Sequence, residues 1–221
     1  MSTAQGSGSG SDSSGVSPEY DGFAAIRYGW SAFQKNIVPM VVVILAPLAA
    51  ELVIAFVGKA LIDSVARRFL FQIAGVVLSG VAGLGVRRMA LMITAGEPTG
   101  ARAAFRYDRW AEWIAFSVVF GLLESVGLVL CVIPGVLFLA YFGLAPFFFL
   151  DRGMSMGASL RASRAAVSSK GLAFSVLLAF IFGLLGIVVF FVGAFITEAM
   201  ATLALAFLYR YATGQPVAAA A

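Results

Sequence analysis

The chain has 221 residues, of which 61% are hydrophobic and only 12% are charged, whereas about a quarter of the residues of a typical soluble domain are charged. A soluble protein of this length could not enclose so much apolar surface in one core, so the composition predicts an integral membrane protein. A net charge of +4 would suit nucleic acid in a soluble chain. Here the basic residues flank apolar runs and form no recognisable nucleic-acid module, so no nucleic-acid partner is expected.

Residues 1–18 are rich in glycine and serine and almost free of apolar side chains. Such a segment cannot offset the entropy of ordering, so it is predicted to be a disordered cytoplasmic tail. It lacks the basic start and the apolar centre of a signal peptide. A six-helix membrane domain is predicted over 19–212, followed by a short cytoplasmic tail over 213–221.

Six apolar runs predict six transmembrane helices, because about 20 helical residues cross a hydrocarbon core of about 30 Å. The predicted spans are 37–57, 69–93, 114–132, 134–150, 172–192 and 194–211. They place twelve of the fifteen Lys and Arg residues on one side and three on the other. The positive-inside rule therefore predicts that both termini are cytoplasmic.

An amphipathic segment precedes each predicted pair of spans and is interpreted as a helix lying in the inner interface. The three segments are 23–36, 101–113 and 156–170. In the second, the spacing of Arg102, Arg106 and Arg109 predicts that the three side chains share one helical face. The predicted fold class is thus an all-α membrane protein of three helical hairpins, each preceded by an amphipathic interfacial helix.

Small residues recur at four-residue spacing in two of the predicted spans. One stripe is Gly75, Ser79 and Gly83, and the other is Ser117, Gly121 and Ser125. Such stripes let helix backbones approach closely in a membrane. We interpret them as helix-packing surfaces in preference to a channel lining.

Three glutamates, Glu51, Glu124 and Glu198, lie at membrane depth, where an unpaired carboxylate costs several kcal/mol. They are therefore expected to face the interior of the bundle. One interpretation is a cavity open to the outer side that binds a cation, a proton or a polar lipid headgroup. The other is that nearby hydroxyls, carbonyls or water satisfy each carboxylate as a structural element. Pro47 and Pro146 are expected to interrupt the hydrogen bonding of their spans.

Several residues at the ends of the spans are candidate anchors. Arg87 and Arg88 are expected at the cytoplasmic interface, and Asp151 is expected to pair with basic residues of the following helix. Arg161 and Arg164 of that helix either anchor it or hold lipid phosphates.

A series of motifs occurs in order along the second half of the chain. Ile133-Pro134-Gly135 is expected to reverse the chain between two spans. Asp151 ends the next span, and Ser159-Leu160-Arg161-Ala162-Ser163 and Lys170-Gly171 follow. Together these motifs resemble a bacterial family of uncharacterised multi-pass integral membrane proteins related to the membrane domain of glycerophosphoryl diester phosphodiesterases.

This resemblance implies a six-helix domain in the bacterial plasma (inner) membrane. Family members that are fused to a phosphodiesterase carry a separate soluble catalytic domain, for which this chain has no room. The chain also has no histidine and a single cysteine, which leaves a poor catalytic set and no metal-thiolate cluster. No enzymatic activity, metal or cofactor is therefore expected.

Two functions remain open from the sequence. The first is a non-enzymatic scaffold or accessory subunit of a membrane complex. Its partners would be the lipid bilayer, including anionic lipids, and another membrane protein or a second copy of the chain. The alternative is a small transporter or lipid-binding protein with a glutamate-lined cavity open to the outer side.

Overall fold

The computed structural model describes residues 23–61, 65–130, 132–188 and 191–219. All regular secondary structure within these ranges is α-helical. The helices are, in chain order, α1 Ala24–Lys35, α2 Ile37–Leu61, α3 Val65–Ala95, α4 Ala101–Phe105, α5 Trp110–Leu130, α6 Val132–Phe142, α7 Ala145–Arg152, α8 Met156–Lys170, α9 Ala173–Val188 and α10 Phe191–Thr213. The described parts of the apolar runs are thus helical, apart from Leu172 and a break at Gly143 and Leu144, and a helix satisfies its backbone hydrogen bonds internally as a membrane requires.

Three segments in the described ranges are long and apolar enough to cross a membrane: Ile73–Ala95, Trp110–Gly127 and Ile133–Arg152. Two further pairs of helices pass the same test together but are sharply bent. α1 meets the first part of α2 at 88°, and α8 meets the first part of α9 at 112°. The described residues therefore contain three candidate spans, or up to five if each bent pair is one span. Six spans in three hairpins stay a prediction.

The third amphipathic segment forms the helix predicted for it, since α8 covers Met156–Lys170. Its two faces are also as expected, because Ser163 and Val167 are buried whereas Arg161 and Arg164 are exposed. The helix ends at Gly171, whose φ of +64° is a left-handed conformation that favours glycine. Its position at a membrane interface stays a prediction.

The second amphipathic segment differs from the prediction, because α4 has only five residues. The backbone at Arg106 is extended, with φ −77° and ψ 99°, and the next helix begins at Trp110. The prediction that Arg102, Arg106 and Arg109 share one helical face is therefore wrong. The break places the Arg109 guanidinium 2.7 Å from the carbonyl oxygen of Gly153, at the end of α7. This tertiary contact outweighs the local preference for helix.

The prediction that Ile133-Pro134-Gly135 reverses the chain is also wrong, because all three residues lie inside α6. Pro134 is tolerated there since the first helical turn has no partner for a backbone N–H. Helices α5 and α6 approach closely at two glycines. A Cβ built on Gly127 of α5 would lie 3.1 Å from the Cα of Gly135 in α6. The chain passes from α5 to α6 at residue 131, which lies outside the described residues.

The helical hydrogen bonding of this span is interrupted just before Pro146, as expected. The chain breaks at Gly143 and Leu144, and Pro146 occupies the first turn of α7. A Cβ on Gly143 would lie 2.5 Å from Cε2 of Phe180, so α9 packs directly against the break. The hydroxyl of Ser163 donates to the carbonyl of Tyr141 at 2.9 Å and satisfies part of the interrupted helix.

The core is organised around α10, whose residues 199–210 are all buried. This helix packs against α9, α1 and α3. The guanidinium of Arg210 is held inside by the Thr94 hydroxyl at 3.0 Å and by the carbonyl of Pro216 at 3.2 Å. A buried arginine is tolerated here because oxygen acceptors replace its water.

Candidate functional site: a charged cavity between α3 and α5

A cavity of about 900 Å³ lies between α3 and α5. Each helix contributes a row of residues at four-residue spacing to its walls. The row on α3 is Gly75, Ser79, Gly83 and Arg87, and the row on α5 is Trp113, Ser117, Gly121 and Ser125. The two small-residue stripes of the sequence are therefore cavity walls, and each continues into a larger side chain.

The two helices touch at one end of the cavity and diverge toward the other. At the closed end, the indole Nε1 of Trp113 donates to the carbonyl of Gly80 at 2.7 Å. A Cβ on Gly80 would also lie 4.0 Å from Cβ of Ser117. At the open end, a Cβ on Gly121 would meet no heavy atom of the described residues within 4 Å. The interpretation of the stripes as packing surfaces is thus corrected, because α3 and α5 pack at only one end of them.

Trp113 fixes the closed end of the cavity. Its side chain is 1% exposed and stacks on Phe116, with 5.6 Å between ring centroids, and tilts against Phe149 at 5.9 Å. A buried indole needs a partner for its N–H, and the Gly80 carbonyl provides one. These contacts hold α5 at a fixed point on α3 and so set where the two helices diverge.

Arg87 lies in the cavity wall and is partly buried. Its Nη1 donates to the carbonyl of Gly83 at 3.2 Å, and its guanidinium carbon is 6.0 Å from the centroid of a Trp113 ring. The candidate span Ile73–Ala95 continues past Arg87 for about 12 Å, at 1.5 Å per residue. Arg87 is therefore a cavity residue within a candidate span, and the anchoring role at the cytoplasmic interface that the sequence suggested stays a prediction.

The carboxylates that the sequence singled out have different positions. Glu124 is partly buried and lines the cavity. Glu198, on α10, is exposed, but both carboxylates lie within electrostatic range of Arg87 and of each other. Glu51 belongs to α2, and its side chain lies outside the described residues. The structure thus places Glu124 in the cavity wall with Arg87, whereas the expectation that Glu198 faces the interior of the bundle is wrong, because its side chain is exposed.

Hydroxyl groups complete the polar part of the cavity. Ser79, Ser117 and Ser125 all line it. The Oγ atom of Ser117 is buried and has no hydrogen-bond partner among the described residues. An unsatisfied buried hydroxyl is unfavourable by about 1–3 kcal/mol. A ligand or water in the cavity would supply the missing partner.

The edge of the cavity is apolar. Val76, Val118 and Leu122 contribute to its lining and are also exposed on the surface of the bundle. Since α3 and α5 both contain candidate spans, this exposed edge is a surface suited to acyl chains. The cavity therefore combines a charged interior with an apolar lateral edge.

The remaining predicted site residues lie away from the cavity. Arg88 has its guanidinium carbon 5.4 Å from the centroid of the Tyr107 ring. Asp151 accepts hydrogen bonds from the Tyr209 hydroxyl and from Nε2 of Gln215. Its described partners are therefore on α10 and the segment that follows, not the expected arginines of α8. The exposed Arg161 and Arg164 stay candidates for contact with lipid phosphates.

The motif residues of α8 have local structural contacts. The hydroxyl of Ser159 donates to the carbonyl of Ser155 at 3.0 Å, within the first turn of the helix. Leu160 packs against the core, and Lys170 and Gly171 end the helix. In the part of the chain that the structure describes, no three His, Cys, Asp or Glu side chains are grouped as a metal ion would require.

The fold and the cavity define a class, an all-helical protein with apolar, membrane-type helices and a charged cavity between two of them. Neither a protein-family model, nor a curated protein, nor a solved structure matches the chain. The relation to the membrane domain of glycerophosphoryl diester phosphodiesterases stays a prediction from the sequence motifs.

Proposed function

We propose that this chain is a non-enzymatic integral membrane protein that binds the polar part of an amphiphilic ligand between α3 and α5. The observation that carries the proposal is the pair of charged side chains, Arg87 and Glu124, on the wall of one cavity. This function corresponds to the lipid-binding alternative of the sequence analysis.

The cost of charge in an apolar environment supports a binding site. Charged side chains within membrane segments are rare, and those present commonly mark a ligand or ion pathway. Arg87 and Glu124 lie in the two candidate spans that form the cavity walls. The volume of about 900 Å³ also lies within the range of about 300–1,000 Å³ that ligand pockets occupy.

The apolar lateral edge supports an amphiphile over a water-soluble ligand. A polar solute would have to pass the exposed Val76, Val118 and Leu122 to enter from the side. An amphiphile already in the bilayer can place its polar group inside while its chains stay against these residues. Burial of apolar surface and polar contacts would then favour the same pose.

Replacing Arg87 with glutamine is expected to lower the affinity for phospholipid at least about tenfold, because a hydrogen bond to a charged group contributes about 1.5–3 kcal/mol. The measurement is the phospholipid bound to the purified full chain in detergent, titrated by native mass spectrometry. Arg87→Lys keeps the charge and is expected to retain part of the binding.

The matched control is Arg102→Gln, which removes an exposed arginine from α4 and is expected to leave lipid binding unchanged. If a folded Arg87→Gln variant binds as much lipid as the unchanged protein does, the proposal is contradicted. Should both arginine variants lose lipid equally, nonspecific charge attraction would explain the binding instead.

The scaffold or accessory role, with a membrane-protein partner or a second copy, stays a prediction from the sequence. So do the bacterial plasma membrane, the cytoplasmic termini and the opening of the cavity toward the outer side.

A further inference from the structure

We infer that the cavity selects a zwitterionic phospholipid headgroup with a primary ammonium, its phosphate at Arg87 and its ammonium at Glu124. This inference rests on the proposed function and adds the chemical class of the ligand. Three properties of the cavity carry it: the donors left on Arg87, the charge balance of the site, and the hydroxyl groups beside Glu124.

Arg87 has donors for a phosphate. A guanidinium carries five N–H donors in a planar fork that matches two phosphate oxygens. Among the described residues, the one hydrogen bond that Arg87 makes is to the Gly83 carbonyl. The other N–H donors of the guanidinium therefore remain for a ligand. Arginine is also better suited than lysine to bind a phosphate through two parallel hydrogen bonds.

The charge balance favours an ammonium beside the phosphate. Arg87 and Glu124 on the cavity wall balance each other, and the exposed Glu198 lies within electrostatic range of both, so the local net charge is −1 when all three are ionised. An anionic headgroup such as that of phosphatidylglycerol would change this net charge to −2. A zwitterionic headgroup leaves it at −1, and its ammonium attracts the carboxylate that an anionic lipid would repel.

The cavity also discriminates between a primary ammonium and a trimethylated one. A primary ammonium donates three hydrogen bonds, and Glu124, Ser125 and the unpartnered Oγ of Ser117 are the acceptors on this wall. A quaternary ammonium donates none and is instead recognised by open aromatic faces. Of the lining rings, Trp113 faces the guanidinium of Arg87, and Phe116 and Phe120 stack on each other with 5.6 Å between their centroids.

The test compares four lipids with identical acyl chains on the detergent-purified full chain by native mass spectrometry. They are phosphatidylethanolamine, phosphatidylcholine, phosphatidylglycerol and diacylglycerol. The expected result is a preference of about tenfold for phosphatidylethanolamine over each of the others, as expected for one charge-assisted contact. Water-soluble glycerophosphoethanolamine is expected not to displace the bound lipid.

Glu124→Gln is expected to remove the preference over phosphatidylglycerol while binding still depends on Arg87. The matched control is Glu112→Gln, an exposed carboxylate on the same helix that pairs with Arg109, and it is expected to keep the preference. Ser117→Ala is a second variant. It adds no volume to the cavity wall and is expected to fold, so it still tests the headgroup assignment if Glu124→Gln does not fold. It is expected to lower the preference over phosphatidylcholine.

The outcomes separate the inference from the proposed function. Equal or tighter binding of phosphatidylglycerol, phosphatidylcholine or diacylglycerol by the unchanged protein would overturn the headgroup assignment and leave a cavity that binds lipid. If glycerophosphoethanolamine displaces the bound lipid, the site recognises a water-soluble headgroup compound, and the assignment of a membrane lipid as the ligand is wrong. If folded Arg87→Gln and Glu124→Gln variants bind all four lipids as the unchanged protein does, both the inference and the proposed function are wrong.

Discussion

Replacement of Trp113 by alanine is expected to destabilise the protein by about 3–5 kcal/mol, the usual cost of removing a buried tryptophan. The side chain is 1% exposed and packs against the rings of Phe116 and Phe149. Its loss would also leave the carbonyl of Gly80 without the indole donor. The free energy of unfolding, measured by denaturant titration in detergent micelles, is the quantity to compare.

Trp30→Ala is the matched control, because the Trp30 side chain is 48% exposed. Its effect is expected to stay near about 0.5 kcal/mol, as for substitutions that leave no cavity. A similar loss in both variants would mean that Trp113 does not hold α5 against α3 as described.

The second large effect is expected for Gly29→Ala, which places a methyl group where α1 and α10 meet. The new Cβ would lie 2.5 Å from the carbonyl oxygen of Met200 and 3.3 Å from the amide nitrogen of Ala204. Both are backbone atoms of a buried helix, so no change of rotamer relieves the clash. The helices must separate, and we expect a loss of about 1–3 kcal/mol in the free energy of unfolding.

Gly157→Ala provides the control within the same chain. Gly157 is an exposed residue of α8, and its nearest heavy atom to a new Cβ is Nη1 of Arg161 at 3.6 Å. Alanine is expected to stabilise this helix by about 0.5–1 kcal/mol, because glycine loses more backbone entropy on folding. If Gly29→Ala stabilises the protein to the same degree, the close packing of α1 on α10 is wrong.

The sequence predicted the type of fold well, because an apolar run long enough for a membrane has to form helix. It also predicted the bounds and the two faces of α8, where amphipathic spacing and Lys170-Gly171 agree. It failed where a tertiary contact decides the local structure. Arg106 leaves the helix so that Arg109 reaches the carbonyl of Gly153, and no local pattern contains that information.

The candidate site was predicted in part. The cost of a buried carboxylate pointed to Glu124 and Glu198, and the structure places Glu124 in the cavity wall with Arg87, whereas Glu198 is exposed. Two adjacent arginines after an apolar run are typical of an interfacial anchor, and that position of Arg87 stays a prediction. Its place in the cavity wall had a signal in the sequence, since Arg87 continues the four-residue spacing of Gly75, Ser79 and Gly83.

The cavity itself could not have been predicted from the stripes. Small residues at four-residue spacing are compatible with two helices in contact along their length and with two helices that diverge. The difference depends on where the helices cross. That point is fixed by the packing of Trp113 on Gly80 and Phe149, three residues that are distant in sequence.

Filling the cavity tests most directly whether it is the ligand site. Gly121→Phe adds a large side chain at the open end, where a new Cβ meets no heavy atom within 4 Å in the part of the chain that the structure describes, so the protein is expected to fold as before. Val119→Phe is the control, because Val119 lies on the same helix, is 40% exposed and is not part of the lining.

The measurement is the phospholipid bound by each folded variant, determined by native mass spectrometry of the full chain. We expect Gly121→Phe to lose at least about nine-tenths of the binding, a tenfold change in affinity, and Val119→Phe to bind as the unchanged protein does. Undiminished lipid binding by a folded Gly121→Phe variant would show that the cavity between α3 and α5 is not the site.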